Sequence, residues 1–516
     1  MNKNITTIIV LFVGLALAIV LGTALPTAQI EVIAFTLGSL FFVLCIALKG
    51  KIWMLIPCSM MMSGSLTILP GNPQAWQIMI LAAAFFYVLR YMVGLRELQF
   101  KLCWFDGIIL LQVFAIGQSF LRNPVGLSLL GSEVIGSKPY YYYAIATIGY
   151  LVLRMVKITM KDFKFVVIVM VVVGLADASI ATISGLLPSL GYAFARFYNQ
   201  GVVSLQASND AVAEFQANDS RFSFLFRFGR IGSLICATMW RPISNLNPLH
   251  PFRLVLCMVS FAAILLSGFR SKLAEVGFWM ITGTIARKNY GDVIVGGFVG
   301  LAVLSILLAT SLPTHLPFAA QRAISIIPGI QVSSAASNNA SDTVEWRVEM
   351  WELALTGDRY IKNKWLGDGF GMSAVEHQFA LDRKLGFEKA SHEDRLEYFM
   401  AKGSYHSFPV EVIRFTGVLG LLLATVALFF FARKAWALIS YYRARDGFSY
   451  VLFVTIPFLA YPLFYWLVFG TYKGSAGFVF IILQAGLLKM LDNIRQNSDE
   501  MNQTLEVSSQ GGSKQN

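Results

Sequence analysis

Charge is what this sequence has least of. Only 14% of its 516 residues are Asp, Glu, Lys or Arg, against about a quarter in a soluble domain. Hydrophobic residues make up 56%, and the mean hydropathy is +0.63. A soluble globular chain is excluded, and the expected fold class is an all-α polytopic membrane protein. Cysteine is scarce too. Cys45, Cys58, Cys103, Cys236 and Cys257 lie in or beside apolar runs, with no CxxC and no Cys/His cluster. Neither a disulfide framework nor structural zinc is expected. No strand-rich region and no repeat of solenoid period is visible. His315, His377 and His392 show no metal-ligand spacing with carboxylates, so no metal and no cofactor are expected. The apolar run 5–24 follows Lys3 as a signal peptide would, yet no small-x-small cleavage site follows it. It reads as an uncleaved first span.

What the chain does have is a series of apolar runs near 5–24, 30–48, 52–70, 74–93, 104–121, 140–156, 163–187, 223–240, 252–269, 273–286, 292–311, 408–432, 450–470 and 474–491. Judged by the length needed to cross a bilayer, these predict about 12–14 transmembrane helices. The net charge of +12 would suggest nucleic acid in a soluble protein. Here it is placed by topology, and no nucleic-acid partner is expected. With the N-terminus in the cytoplasm, alternate loops carry Lys49 and Lys51, then Arg90, Arg96 and Lys101, then Arg154, Lys157, Lys161 and Lys164, while the short loops opposite are nearly free of Lys and Arg. This positive-inside pattern puts the loops 122–139, 188–222 and 312–407 outside and the C-terminus inside. The organisation expected is helices 1–11 over 1–311, an external module over 312–407, helices 12–14 over 408–492, and a disordered cytoplasmic tail over 493–516.

The module is the longest polar interval in the chain. Its lead-in, Ser333 to Ala340, reads as a flexible linker. Ser341 or Asp342 then caps a helix, with Glu345 placed for a capping box. Trp346, Met350, Leu353 and Ala354 recur at helical spacing until Gly357 and Asp358 end the helix. A further helix is expected from Asp394 to Lys402, closed by Gly403. The loop 188–222 has few breakers and suits a surface helix.

The outer ends of the spans are basic, which topology does not explain. Arg221, Arg227 and Arg230 enter the eighth span, Arg270 leaves the ninth, Arg347 lies on the loop helix, and Arg414 lies inside the twelfth span. An arginine inside a span costs about 2.5–3.5 kcal/mol on insertion scales. Each therefore has a partner or faces water, and Asp177, Glu275 and Glu411 are the candidate partners. Glu411 and Arg414, three apart, share a helical face. Taken singly, each arginine reads as readily as a buried ion pair or a snorkelling side chain as it does as a ligand for substrate. Converging at one membrane face, they make a site for a phosphate or diphosphate held by forked hydrogen bonds. His406, at the threshold of the twelfth span, is either a helix-start histidine or a general acid/base. Gly367, Gly369 and Gly371 alternate in a GDGFG segment. Without a preceding strand this is no dinucleotide loop. It is a plain turn, or a tight turn offering backbone N–H groups to a headgroup.

Four segments in order, LLSGFRSKLAEVGFWM, RVEMWELAL, WLGDGFGM and YHSFPVEVIRFTGVLGLL, resemble the O-antigen ligase and O-antigen polymerase superfamily of bacterial envelope glycosyltransferases. The resemblance covers roughly 265–425, and the hydropathy profile fits the whole chain. It implies a multi-pass inner-membrane enzyme with a periplasmic active site. Its donor would be a glycan on a polyprenyl (undecaprenyl) diphosphate, and its acceptor a hydroxyl of lipid A core or of another glycan, with membrane lipids around it. It further implies metal-independent, inverting transfer. His406 would be the general base, Arg270 and Arg347 would hold phosphates, and Arg221, Arg227, Arg230, Arg414 and the three glycines would bind substrate. Glu411 and Glu275 would support the site. The polymerase shares this chemistry with a different acceptor. A transporter or flippase for lipid-linked glycans is the reading from another class, and it predicts two similar halves that the sequence does not display.

Overall fold

The computed structural model describes residues 30–69, 71–94, 102–124, 138–202, 222–370, 396, 399–400, 403–467, 470–474 and 477–511. The expected first span, Arg221, Gly371, His377, His392, the polar part of the 188–222 loop and most of 394–402 lie outside these residues. The helices, in chain order, are α1 (Ile30–Leu48), α2 (Leu55–Ser59), α3 (Ala75–Met92), α4 (Trp104–Arg122), α5 (Lys138–Met155), α6 (Met160–Leu186), α7 (Pro188–Ala195) and α8 (Leu225–Thr238). They continue as α9 (Pro251–Leu266), α10 (Arg270–Ala286), α11 (Tyr290–Ala309), α12 (Phe318–Ile324), α13 (Ser334–Thr356), α14 (Phe408–Tyr442), α15 (Phe448–Trp466) and α16 (Phe478–Gly511). The strands among the described residues are β1 (Ser65–Leu66) and β2 (Tyr198–Asn199), which pair antiparallel.

The protein is an all-α, multi-pass membrane protein. Among the described residues, α3, α4, α6, α11, α14 and α15 are long and apolar enough to cross a bilayer, and a bent helix pair, 38–48 with 50–59, makes up to seven. Among the described residues, other apolar runs give shorter helices, such as α9, or helices less apolar than a simple span, such as the tyrosine-rich α5. The apolar residues divide between two surroundings. One set fills a core rich in aromatics, with Tyr142, Tyr150, Phe105, Phe370, Phe408, Phe415 and Phe458 almost wholly buried. The other faces outward, as on α11, which buries none of its residues and exposes Ile294, Phe298, Leu301 and Ile306. In water such a surface would be prohibitive; in hydrocarbon it costs nothing. Pro457 and Pro462 sit inside α15, where a bilayer protein tolerates them because neighbouring groups replace the lost bond.

Two expectations about the ends of elements fail. The stretch 333–340 is no linker but the opening of α13. The Ser333 hydroxyl accepts from the Ala336 N–H at 3.4 Å, and Ala336 and Ala340 are buried, which holds these turns in place. Nor does the chain become irregular at 493. Helix α16 runs on to Gly511, and Asp499 accepts from the Tyr441 hydroxyl at 2.6 Å, tying it to α14. The module also has its own small core. Met350, Ala354, Ile361, Leu396, Met400, Tyr405 and Val410 form it, with Trp346, Trp351 and Phe399 packed around them. Leu353, expected on the apolar face of α13, is exposed instead.

Candidate functional site

Loops and helix ends at one end of the bundle bring the singled-out residues together, but in three groups and not in one. The first group is strung along α13. Arg270, at the first position of α10, donates to the Ala340 carbonyl at 3.2 Å. Seven residues further along α13, two turns or about 10 Å, comes Arg347. Trp346 lies against the His406 ring at 5.9 Å between centroids, and Phe399 touches the same ring at 5.6 Å. The Trp351 indole N–H donates to the Tyr405 carbonyl at 2.8 Å. One helix therefore grips the 405–406 segment from two positions and meets Arg270 at a third. His406 itself has φ of +51°, a left-handed backbone that a non-glycine residue adopts only when its surroundings impose it. Next to it, burial pushes the Tyr405 hydroxyl up to about 12, so it stays neutral at ordinary pH.

The second group surrounds a cavity of about 480 Å³. Arg227, Arg230, Lys272, Asp177 and Glu275 line it together with Tyr461, Tyr465 and Gln484. The expected partners are realised for two arginines: Arg227 Nη1 lies 3.9 Å from Asp177, and Arg230 Nη2 lies 3.6 Å from Glu275. Lys272 Nζ joins Glu275 at 2.8 Å. Asp177 also accepts from the Ser63 hydroxyl at 2.7 Å and from the Gln200 side chain at 2.7 Å. Arg270, Arg347 and His406 are not among the lining residues. The two groups meet in the first turn of α10: Ser271 and Lys272 face the cavity while Arg270 reaches α13. They meet again at Phe408, two residues after His406, which packs edge-on against the cavity residue Tyr465 at 5.0 Å.

The third group overturns the expected role of the glycine turn. Helix α14 is broken at Gly417, whose φ of 76° and ψ of −178° interrupt it. Segment 364–369 fills the break. Asp368 N–H donates to the Arg414 carbonyl at 2.8 Å and Gly369 N–H to the Phe415 carbonyl at 3.0 Å, while Val418 N–H donates to the Lys364 carbonyl at 2.8 Å and Leu419 N–H to the Trp365 carbonyl at 3.2 Å. The loop backbone thus supplies the bonds that the helix has lost. Contact is so close that a Cβ on Gly417 would come within 2.1 Å of the Trp365 carbonyl oxygen, and one on Gly367, at φ +73°, within 2.4 Å of the Thr416 nitrogen. Phe370 then plugs into the core, stacked on Phe415 at 4.8 Å. Gly367 N–H is taken by the Asn363 carbonyl at 2.7 Å and Phe370 N–H by the Tyr140 hydroxyl at 2.9 Å. These donors all have acceptors within the protein, so Gly367 and Gly369 build a clasp and not a phosphate cradle.

Arg414 belongs to the same clasp. Its guanidinium pairs with Asp368 at 2.8 Å, and Asp368 also accepts from the Lys362 and Asn363 N–H groups at 2.8 and 2.9 Å. The expected Glu411–Arg414 partnership is not formed. Glu411 accepts instead from the Tyr472 N–H at 2.7 Å, fixing the loop between α15 and α16. Arg122, at the end of α4, was not singled out from sequence. It donates to the Gly367 carbonyl at 2.8 Å and closes the clasp from the other side. Lys272, Tyr461, Tyr465 and Gln484 were missed as well. Lys272 had a signal, since it precedes Glu275 by three residues and so shares its helical face. The other three lie in apolar runs and had none.

Among the described residues, no group of three or more His, Cys, Asp or Glu side chains is placed to hold a metal ion. No known protein-family model matches the chain, and no curated protein matches it.

Proposed function

We propose that the protein is a membrane glycosyltransferase of the O-antigen ligase or polymerase type. It would move a glycan from a polyprenyl diphosphate to an acceptor hydroxyl at the extracytoplasmic face of a bacterial inner membrane. The observation that carries the reading is α13 itself. It carries Arg347, receives Arg270 at its Ala340 carbonyl and lays Trp346 against the His406 ring, at the same end of the bundle as an amphipathic cavity. Two guanidinium forks suit the two phosphates of the donor, whose departure develops negative charge on the leaving oxygen. His406, held by the same helix, accepts the proton of the acceptor hydroxyl as that oxygen attacks the anomeric carbon. The anomeric C–O bond to the diphosphate breaks with its electron pair, and the sugar carbon inverts. The finer choice of acceptor, lipid A core or a growing chain, is that of the ligase or the polymerase.

The test is transfer from a labelled lipid-linked repeat unit by the purified full-length protein. His406→Ala is expected to lower turnover by about 10²–10⁴-fold, the usual contribution of a positioned base, with membrane insertion unchanged. Near-normal transfer would remove His406 from the mechanism. Arg270→Lys is expected to impair donor use almost as much as Arg270→Ala, because lysine lacks the fork. Full activity of the lysine variant would reduce the role of Arg270 to charge alone.

A further inference from the structure

The cavity is lined by three cations and two carboxylates, and each cation already has an acidic neighbour. Glu275 stands between Lys272 at 2.8 Å and Arg230 at 3.6 Å, and Asp177 stands 3.9 Å from Arg227. A diphosphate seated here would meet cations already shared with carboxylates, and it would lie beside two like charges, which disfavour a second anion. The rest of the lining mixes hydrogen-bond donors with acceptors. The Tyr461 hydroxyl donates to Gln484 Oε1 at 2.7 Å, which leaves the Gln484 amide N–H groups for a ligand. The rings of Trp76 and Phe464 also line the cavity, as do Met60, Met170, Leu234 and Leu487. Paired charges that both donate and accept, aromatic rings and an adjoining apolar wall together suit an uncharged, hydroxyl-rich headgroup carried on an alkyl chain.

We propose that this cavity is a subsite for the sugar of a lipid-linked glycan and not a second phosphate site, with Glu275 accepting from sugar hydroxyls while Arg230 and Lys272 hold its carboxylate in place. The sugar lies among Glu275, Gln484 and the aromatic rings, and the alkyl chain follows the apolar wall. Assigning this sugar to the acceptor side of the transfer rests on the function proposed above; the binding itself does not. The first turn of α10 would then place the two sites side by side, phosphates at Arg270 and acceptor sugar at Ser271 and Lys272.

The experiment is photolabelling of the full-length protein in lipid nanodiscs prepared free of alkyl glycosides. The probe is a decyl glucoside carrying a diazirine on its chain, and decyl maltoside and decyl phosphate are the competitors. Label is expected in peptides covering 453–465 and 477–487, displaced by the maltoside and not by the phosphate. Glu275→Gln should weaken labelling by about tenfold, the loss of one hydrogen bond to a charged group. Should that variant fold poorly, Gln484→Leu and the competition on the unaltered protein decide the matter. Displacement by decyl phosphate as strong as by the maltoside would overturn the proposal. So would label spread over the lipid-facing helix α11, or labelling indifferent to both Glu275 and Gln484. His406→Ala is expected to label normally, so a failure of the transferase reading and a failure of this one give different results.

Discussion

Two clusters of charge stand at opposite ends of the bundle, built from the same residue types and used differently. At the end away from the cavity, Arg154 Nε meets Asp106 at 2.7 Å, and their side chains are only 5% and 4% exposed. Tyr150 donates to the same carboxylate at 2.8 Å, and the Cys103 N–H closes a capping box on it at 2.8 Å. On α16, Lys489 and Arg495 pair with Asp492, and the Asn493 amide donates to the Arg154 carbonyl at 3.0 Å, joining α16 to α5. At the cavity, Arg230 and Lys272 lean on a buried Glu275 but stay 42% and 33% exposed themselves. The Arg154–Asp106 pair at the heart of the first cluster is closed off from any ligand, and it ties α4 to α5. The second keeps one side of its cations open to a space that a ligand can enter. Arginine inside a membrane protein is therefore a weak pointer to function by itself; a cation with volume in front of it is the stronger one.

The comparison can be broken most sharply at Asp106. Asp106→Ala strands a buried arginine and is expected to cost about 3–5 kcal/mol, read as a large fall in the unfolding midpoint in nanodiscs. A change within error would mean that this end does not carry the bundle. Next in size is Gly417→Ala. Forcing a side chain into this positive-φ, extended-ψ conformation costs about 1–3 kcal/mol on backbone grounds alone, and the added carbon meets the Trp365 carbonyl besides. The clasp is expected to release, so that trypsin cuts at Lys362 and Lys364 several-fold faster while the rest of the bundle keeps its resistance. Unchanged cutting would show that the helix break does not need the clasp. The smallest effect is expected at Glu275. Its partners are partly solvated, so Glu275→Gln should cost about 1 kcal/mol or less in stability while weakening glycoside labelling. A loss as large as that at Asp106 would erase the distinction between the two ends.

Much of this is legible in the sequence. Hydropathy alone marked the class, because a bilayer demands long apolar helices, although among the described residues six helices, or up to seven, meet that demand where about 12–14 were expected. The links of Arg230 to Glu275 and of Arg227 to Asp177 followed from the cost of an unpaired charge, although nothing in the sequence said which arginine met which acid. The Arg347-xxx-Trp351 spacing was visible, but not that Trp351 would hold the Tyr405 carbonyl. The clasp was misread for a physical reason. RFTGVLGLL carries the apolar pattern of an unbroken span, and the bonds that permit a break come from residues some fifty positions earlier in the chain. Alternating glycines advertise close backbone approach, whether to a phosphate or to another stretch of protein, and only the fold decides which.

The break in α14 also bears on how the molecule comes to exist. Without segment 364–369, the carbonyls of Arg414 and Phe415 and the N–H groups of Val418 and Leu419 would have no partners at the helix break, and each orphan costs several kcal/mol in hydrocarbon. The nascent 408–442 segment should therefore enter the bilayer as a straight, self-bonded rod. It would acquire its bend only after the polar loop, made earlier and waiting at the membrane surface, slides in to take over those bonds. Biogenesis would then have a late maturation step, in which the loop that carries Arg347 and leads to His406 is seated by the same event that bends the helix.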